Sequence, residues 1–352
     1  MKALFYDLVA ALVRVTSWAM FSRVEVRGRD RVDWDAPCIL SPNHQNAFLD
    51  ALLVGITAPV TLTFPSRASV FGTPFDWVLD ALHMMPLYRR RDGFEKLSRT
   101  RDILAEQRER LKDGHALVLF SETEHAHTYY LRPLSRGSAR LAVRTQQETD
   151  RSVQLIPVGV NYYHLCRPGF KVSIVFGEPL RADEYTVQDE KNEAECVNAL
   201  RDDLAAAMED GMLVPEKTDD YHEQVDRINR HNEPLPFPKM KAALDSPADL
   251  PSKGPHRPWL KTLGRGLNVL NAGPLWLASA LMRWVDEPPF TASLTFAVGM
   301  FAMPLWWTGL FLLGGSLFSW TIGAAVGAGA IGTMLLHIFL VRRSNPPHPE
   351  VD

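Results

Sequence analysis

Residues 38–59 read Cys-Ile-Leu-Ser-Pro-Asn-His-Gln-Asn-Ala-Phe-Leu-Asp-Ala-Leu-Leu-Val-Gly-Ile-Thr-Ala-Pro, and their change of period decides the fold class. Cys38, Ile39 and Leu40 form a short apolar run closed by Ser41-Pro42, which reads as a buried strand. A helix then begins near Asn46, carries Leu52, Leu53 and Ile56 on its apolar face, and ends at Pro59, which has no backbone donor to continue it. A strand feeding a helix over so few residues is the building unit of a layered α/β domain.

Outward from this stretch, strands and helices go on alternating. Residues 24–27 alternate apolar and polar as a short strand does, and residues 94–112 carry charge at helical spacing until Gly114 stops the helix. Residues 116–120 are a continuous apolar run of the kind found in buried parallel strands. A helix is expected over 138–145, strands over 153–160 and 172–176, and Gly177-Glu178-Pro179 closes the core. The expected fold is α/β, with a mixed, largely parallel sheet flanked by helices.

The 352 residues are enough for such a core with an appended element. A formal charge of −3 gives no general attraction to nucleic acid, so no such partner is expected and any anionic ligand must be met locally. Cys38, Cys166 and Cys196 are odd in number and lack close CxxC spacing, so neither a disulfide framework nor a zinc site is indicated.

Residues 290–341 contain no Asp, Glu, Lys or Arg. At about 20 residues per helical crossing, that length suits a two-helix transmembrane hairpin, with Gly314, Gly315 and Ser316 near the middle as its turn. At the other end Asp7 and Arg14 share one helical face while Leu4, Leu8, Leu12 and Val15 line another, as in an interfacial membrane helix. The expected organisation is an interfacial helix over 1–22, an α/β domain over 23–215, a polar linker over 216–258, a membrane-surface segment over 259–289 and the hairpin over 290–341.

The chemistry concentrates in a few segments. His44 at a helix entrance and Asp50 one and a half turns later form a candidate base and its orienting carboxylate: a neutral imidazole takes a hydroxyl proton while the carboxylate fixes its tautomer. The same residues also fit an ordinary helix entrance with a surface aspartate. His125 and His127, one residue apart and near Glu122 and Glu124, admit a second reading as metal ligands of a membrane metallohydrolase. A non-catalytic lipid-binding protein is a third.

Taken with three further segments in order, the His44 segment resembles the first block of the glycerol-3-phosphate and 1-acylglycerol-3-phosphate acyltransferase (PlsC-like) superfamily, whose signature is HxxxxD. Here five residues separate His44 from Asp50 and Gln45 holds the four-residue register. Glutamine cannot act as a base, so His44 keeps that role and the turn must absorb the extra residue. Pro86-Leu87-Tyr88-Arg89-Arg90-Arg91 is similar to the second block, in which arginines meet a phosphate through their planar fork. Phe120-Ser121-Glu122-Thr123 resembles the FPEG block with Pro and Gly replaced, and Arg132-Pro133-Leu134-Ser135-Arg136-Gly137 resembles the basic turn that follows it. Ile156-Pro157 resembles the fourth block.

The resemblance implies a catalytic pair His44 and Asp50, and an acceptor and phosphate site drawn from Arg89, Arg90, Arg91, Glu122, Thr123, Arg132 and Arg136. It further implies transfer of a fatty acyl group from acyl-CoA or acyl carrier protein to a hydroxyl of glycerol 3-phosphate or a lysophospholipid. No metal or organic cofactor is implied, membrane lipids are expected partners, and the catalytic domain is expected on the cytoplasmic side.

Overall fold

The computed structural model describes residues 2–74, 76–87, 95–185, 192–230, 235–245, 258–285 and 287–343. Within them β1 (Val24–Arg27), β2 (Cys38–Pro42), β3 (Leu62–Arg67), β4 (Met84–Leu87), β5 (Ala116–Val118), β6 (Gln154–Tyr162), β7 (Val172–Phe176) and β8 (Leu180–Arg181) form one sheet. Its order is β1-β7-β6-β2-β5-β3-β4, with β8 beside β6. The pairings of β6 with β7 and β8 are antiparallel and the others parallel, so the sheet is mixed and largely parallel as expected.

The central strands β2 and β6 are buried along their whole length, which is why both are dominated by apolar residues. Side-chain alternation divides β2 between two cores. Cys38 and Leu40 join the layer that holds Leu49 and Leu53 of α2 (Phe48–Thr57) and Val13 and Met20 of α1 (Lys2–Met20). Ile39 faces the opposite layer, with Leu141 of α5 (Gly137–Gln146) and Leu200 and Leu204 of α6 (Glu193–Asp210). Helices α3 (Asp76–Ala81) and α4 (Glu95–Lys112) complete the domain.

The stretch expected to be a polar linker instead contributes α7 (Tyr221–Arg230) and α8 (Phe237–Asp245), whose Ile228, Phe237 and Met240 are buried in the first core layer. After it come α9 (Pro258–Leu267) and α10 (Ala272–Met282), and the 3-10 turn Asn268–Asn271 between them meets the last two helices: Asn271 donates to the Ala330 carbonyl at 2.9 Å and accepts from Trp307 Nε1 at 2.8 Å.

The uncharged C-terminal run forms α11 (Pro289–Ala297), a π-helical turn at Val298–Ala302, α12 (Met303–Leu317) and α13 (Trp320–Arg343). The π turn ends two residues before Pro304, which lacks the amide a regular ladder needs there. The chain reverses at Phe318 and Ser319, beyond the glycines expected to make the turn. Gly314 lies within α12, where a Cβ would stand 2.8 Å from the Gly323 Cα; the small residues serve close helix approach instead. Lys2–Met20, Pro289–Leu317 and Trp320–Leu340 are long and apolar enough to cross a membrane.

Candidate active site

Strand β2 delivers Asn43 and His44 to the C-terminal edge of the sheet. Asn43 fixes that exit: its side chain accepts from the Val160 amide at 2.6 Å and donates to the Val160 carbonyl at 3.1 Å. Asp50, in the first turn of α2, is fully buried. Its Oδ2 faces His44 Nδ1 at 2.9 Å and accepts from the Gln45 and Asn46 amides at 2.7 and 2.8 Å, while Oδ1 accepts from the Tyr162 hydroxyl at 2.7 Å. The pairing therefore survives the longer spacing. Ala47 absorbs the extra residue at φ 46 and ψ −128, a conformation that costs a non-glycine residue strain.

A carboxylate only accepts, so opposite Asp50 the Nδ1 of a neutral His44 carries the proton and Nε2 presents the lone pair. Phe120 stacks on the imidazole with ring centroids 4.0 Å apart and 24° between planes. His125 meets it edge-on at 5.4 Å. His125 in turn lies 3.4 Å from Glu287 and edge-on to Phe290 of α11, and burial holds its pKa below the ordinary histidine value, so it is neutral at neutral pH. Beside Phe290 is an open surface groove of about 350 Å³ lined by Phe48, Val285, Glu287, Phe290 and Leu294.

Glu122 is also buried, and burial raises its pKa despite the donors around it. One oxygen accepts from the His44 amide at 2.7 Å and the other from the Arg132 amide at 2.9 Å, so this carboxylate ties the histidine segment to the basic turn. Thr123 follows at φ 65, the left-handed region that glycine favours. Ser121, where the resembling pattern has proline, links the hydroxyls of Ser41 and Ser138 at 2.6 Å each. Arg132 has its guanidinium 3.7 Å from Glu122, with Nε and one Nη buried and without hydrogen-bond partners among the described residues.

His44, Asp50, Glu122 and Arg132 thus form one connected cluster, with Thr123 adjoining it. Arg136 is exposed at the entrance to α5, outside that cluster. Arg89, Arg90 and Arg91 lie outside the described residues. His125 and His127 do not converge, since His127 Nε2 faces Cys166 Sγ at 3.5 Å, and the described residues hold no cluster of His, Cys, Asp and Glu fit for a metal. Tyr162, Glu287 and the strained Ala47 were not singled out by sequence. Tyr162 reads as one more residue of a buried strand, and Glu287 stands 162 positions from His125.

Three comparisons relate this chain to known proteins. The acyltransferase family model matches residues 23–161, which hold the His44 turn, Glu122, Arg132 and all but the last residue of β6. An uncharacterized acyltransferase of Schizosaccharomyces pombe is 37% identical over 76 residues, which make up 21% of this chain and 11% of that protein. This chain therefore matches only about a tenth of that relative's length. The crystal structure of the 1-acyl-sn-glycerophosphate acyltransferase PlsC from Thermotoga maritima aligns with 59% of this chain and 80% of its own, at 20% identity and a TM-score of 0.43.

Proposed function

We propose, from the match of residues 23–161 to the acyltransferase family model, that this chain transfers a fatty acyl group from acyl-CoA or acyl carrier protein to a hydroxyl of glycerol 3-phosphate or a lysophospholipid. The observation that carries this reading is the His44 imidazole, oriented through Nδ1 by a buried Asp50 that holds three further donors. His44 Nε2 removes the proton from the acceptor hydroxyl, and the oxygen attacks the thioester carbonyl. The tetrahedral intermediate collapses, the carbon–sulfur bond breaks, and the leaving thiolate takes the proton back from the imidazolium. No acyl-enzyme intermediate is required.

The Arg132 guanidinium, ion-paired with Glu122 and with two N–H groups not hydrogen-bonded among the described residues, supplies a charge-assisted site for the anionic headgroup. Glu122 acts through the backbone amides it holds. The open apolar groove beside His125 and Phe290 takes part of the acyl chain, its mostly apolar lining suiting a hydrocarbon. The hairpin of α11 to α13 anchors the protein in the membrane. Arg283 before it and Arg342 and Arg343 after it put both flanks, and the catalytic domain with them, on the cytoplasmic side.

The test is a mass-spectrometric survey of lipids acylated by the purified protein, offered a panel of glycerol phosphates and lysophospholipids with both thioester donors. His44→Ala should lose about 100- to 10,000-fold in turnover while keeping its fold. A wild-type protein inactive on every pairing, or a variant retaining more than about a tenth of the rate, overturns the assignment.

A further inference from the structure

Helix α11 reaches the catalytic turn directly. Ser293, wholly buried, donates its hydroxyl to the Asn46 carbonyl at 2.6 Å and accepts from the Leu49 amide at 3.3 Å. These two backbone groups lie on either side of Ala47, the residue whose φ of 46 and ψ of −128 absorb the extra position between His44 and Asp50. A non-glycine residue stays in such a conformation only where its surroundings over-determine it. The turn's own closure, from the Leu49 amide to the Asn46 carbonyl at 3.0 Å, uses the same two groups, so the hydroxyl reinforces that closure.

The contact is held in place from behind. Ala292 and Phe296, flanking Ser293 on α11, lie in one core layer with Leu49 and Leu53 of α2. The span Pro289–Leu317 has 29 residues. At 1.5 Å per residue it is roughly 43 Å long, against a hydrocarbon core of about 30 Å, so its first turns can sit on the catalytic domain while the rest crosses.

We propose that Ser293 is a positioning residue for acyl transfer: from the C-terminal helical segment it clamps the strained turn at Ala47, so that Asp50 reaches His44 across the longer spacing. The proposal rests on the acyl-transfer reading above. Releasing the clamp lets Ala47 relax, which shifts the Gln45 and Asn46 amides bound to Asp50 and turns the imidazole away from the acceptor hydroxyl. The C-terminal segment is then part of the catalytic apparatus as well as an anchor.

The test is a double-mutant cycle in the full-length protein, with Ser293→Ala, Ala47→Gly and the pair of changes. Each is assayed for kcat and for both KM values, and the amide hydrogen exchange of residues 44–50 is followed in parallel. Ser293→Ala should lower kcat by about tenfold to a hundredfold with little change in either KM, the scale of a small misplacement of reacting groups. Exchange should quicken in residues 44–50 and not across the sheet. In the Ala47→Gly background, where the turn is no longer strained, the same serine change should cost only about twofold to threefold. Equal losses in both backgrounds, or faster exchange throughout the domain, overturn the clamp. A wild-type protein inactive on every acceptor overturns the acyl-transfer reading and the catalytic part of this proposal. Exchange confined to 44–50 in Ser293→Ala would still support the clamp itself.

Discussion

Thr123 and Ala47 are both non-glycine residues at positive φ, and both stand beside the catalytic cluster. At φ 65 the β-branched side chain of Thr123 strains the backbone by about 1–3 kcal/mol, and the resembling FPEG pattern has glycine at this position. Thr123→Gly removes that strain, partly offset by the roughly 0.5–1 kcal/mol that glycine loses in chain entropy. Thermal unfolding of the purified variant should show a midpoint raised by about 2–4 °C. A lowered midpoint would mean that the Thr123 hydroxyl, which donates to the Glu122 carbonyl at 2.6 Å, outweighs the strain. His44, Asp50, Glu122 and Arg132 were legible in the sequence because they occur in short segments whose order carries the resemblance. Tyr162 and Ser293 were not, since their partners Asp50 and Asn46 are 112 and 247 positions away and neither residue interrupts the pattern of its own element. Nor does sequence show whether an extra residue breaks the His44–Asp50 pair, because that depends on one backbone angle at Ala47.

At the scale of elements, period and burial made β1, β2, β6, β7 and α5 readable to within a few residues, because each pairs an unambiguous apolar pattern with a clear stop. Strands β3 and β4 were harder, since Pro65 and Pro86 argue against strand interiors. Average polarity concealed α7, although Tyr221, Val225 and Ile228 recur at helical spacing and join or pack against the core. The hairpin turn was misplaced for a different reason: paired glycines mark either a reversal or a close helix contact, and hydropathy does not separate the two. At Gly323 a Cβ would stand 2.4 Å from the Phe311 carbonyl oxygen and 2.6 Å from the Gly315 amide nitrogen. Gly323→Val should therefore prise α12 from α13 and cost about 1–3 kcal/mol, the scale of overpacking. The control is Gly332→Val, where a Cβ meets open space. Thermal melts of the two variants in the same detergent check this, and equal melting points would remove the close glycine contact from the account.

For the whole molecule, the question is how many of the three apolar helices cross the membrane. Both ends of α1 are tied to the α/β domain: Lys2 pairs with Asp80 at the end of α3, and the Met20 carbonyl accepts from the Gly169 amide at 2.6 Å. A helix fastened to one domain at both ends lies along it, leaving Leu4, Leu8 and Trp18 exposed for the lipid surface. Tryptophans on α3, α9 and beyond α10, Trp77, Trp259 and Trp284, are exposed as well, as residues at the membrane interface commonly are. The proposed arrangement then has two crossings, α11–α12 and α13, with the catalytic domain and the C-terminal end of α13 on one side. In the proposed orientation the arginines flanking the hairpin lie on the cytoplasmic side and the reversal at Ser319 faces outward. Single cysteines test this in a background lacking Cys38, Cys166 and Cys196. One at Ser319 should react with an impermeant thiol reagent applied to intact cells. Those at Ala3 and Glu184, both exposed on the catalytic side, should stay protected until the membrane is opened. Labelling of Ala3 from outside with Glu184 protected would make α1 a third crossing. Labelling of Glu184 from outside would reverse the orientation and remove the catalytic domain from the compartment where acyl thioesters are available.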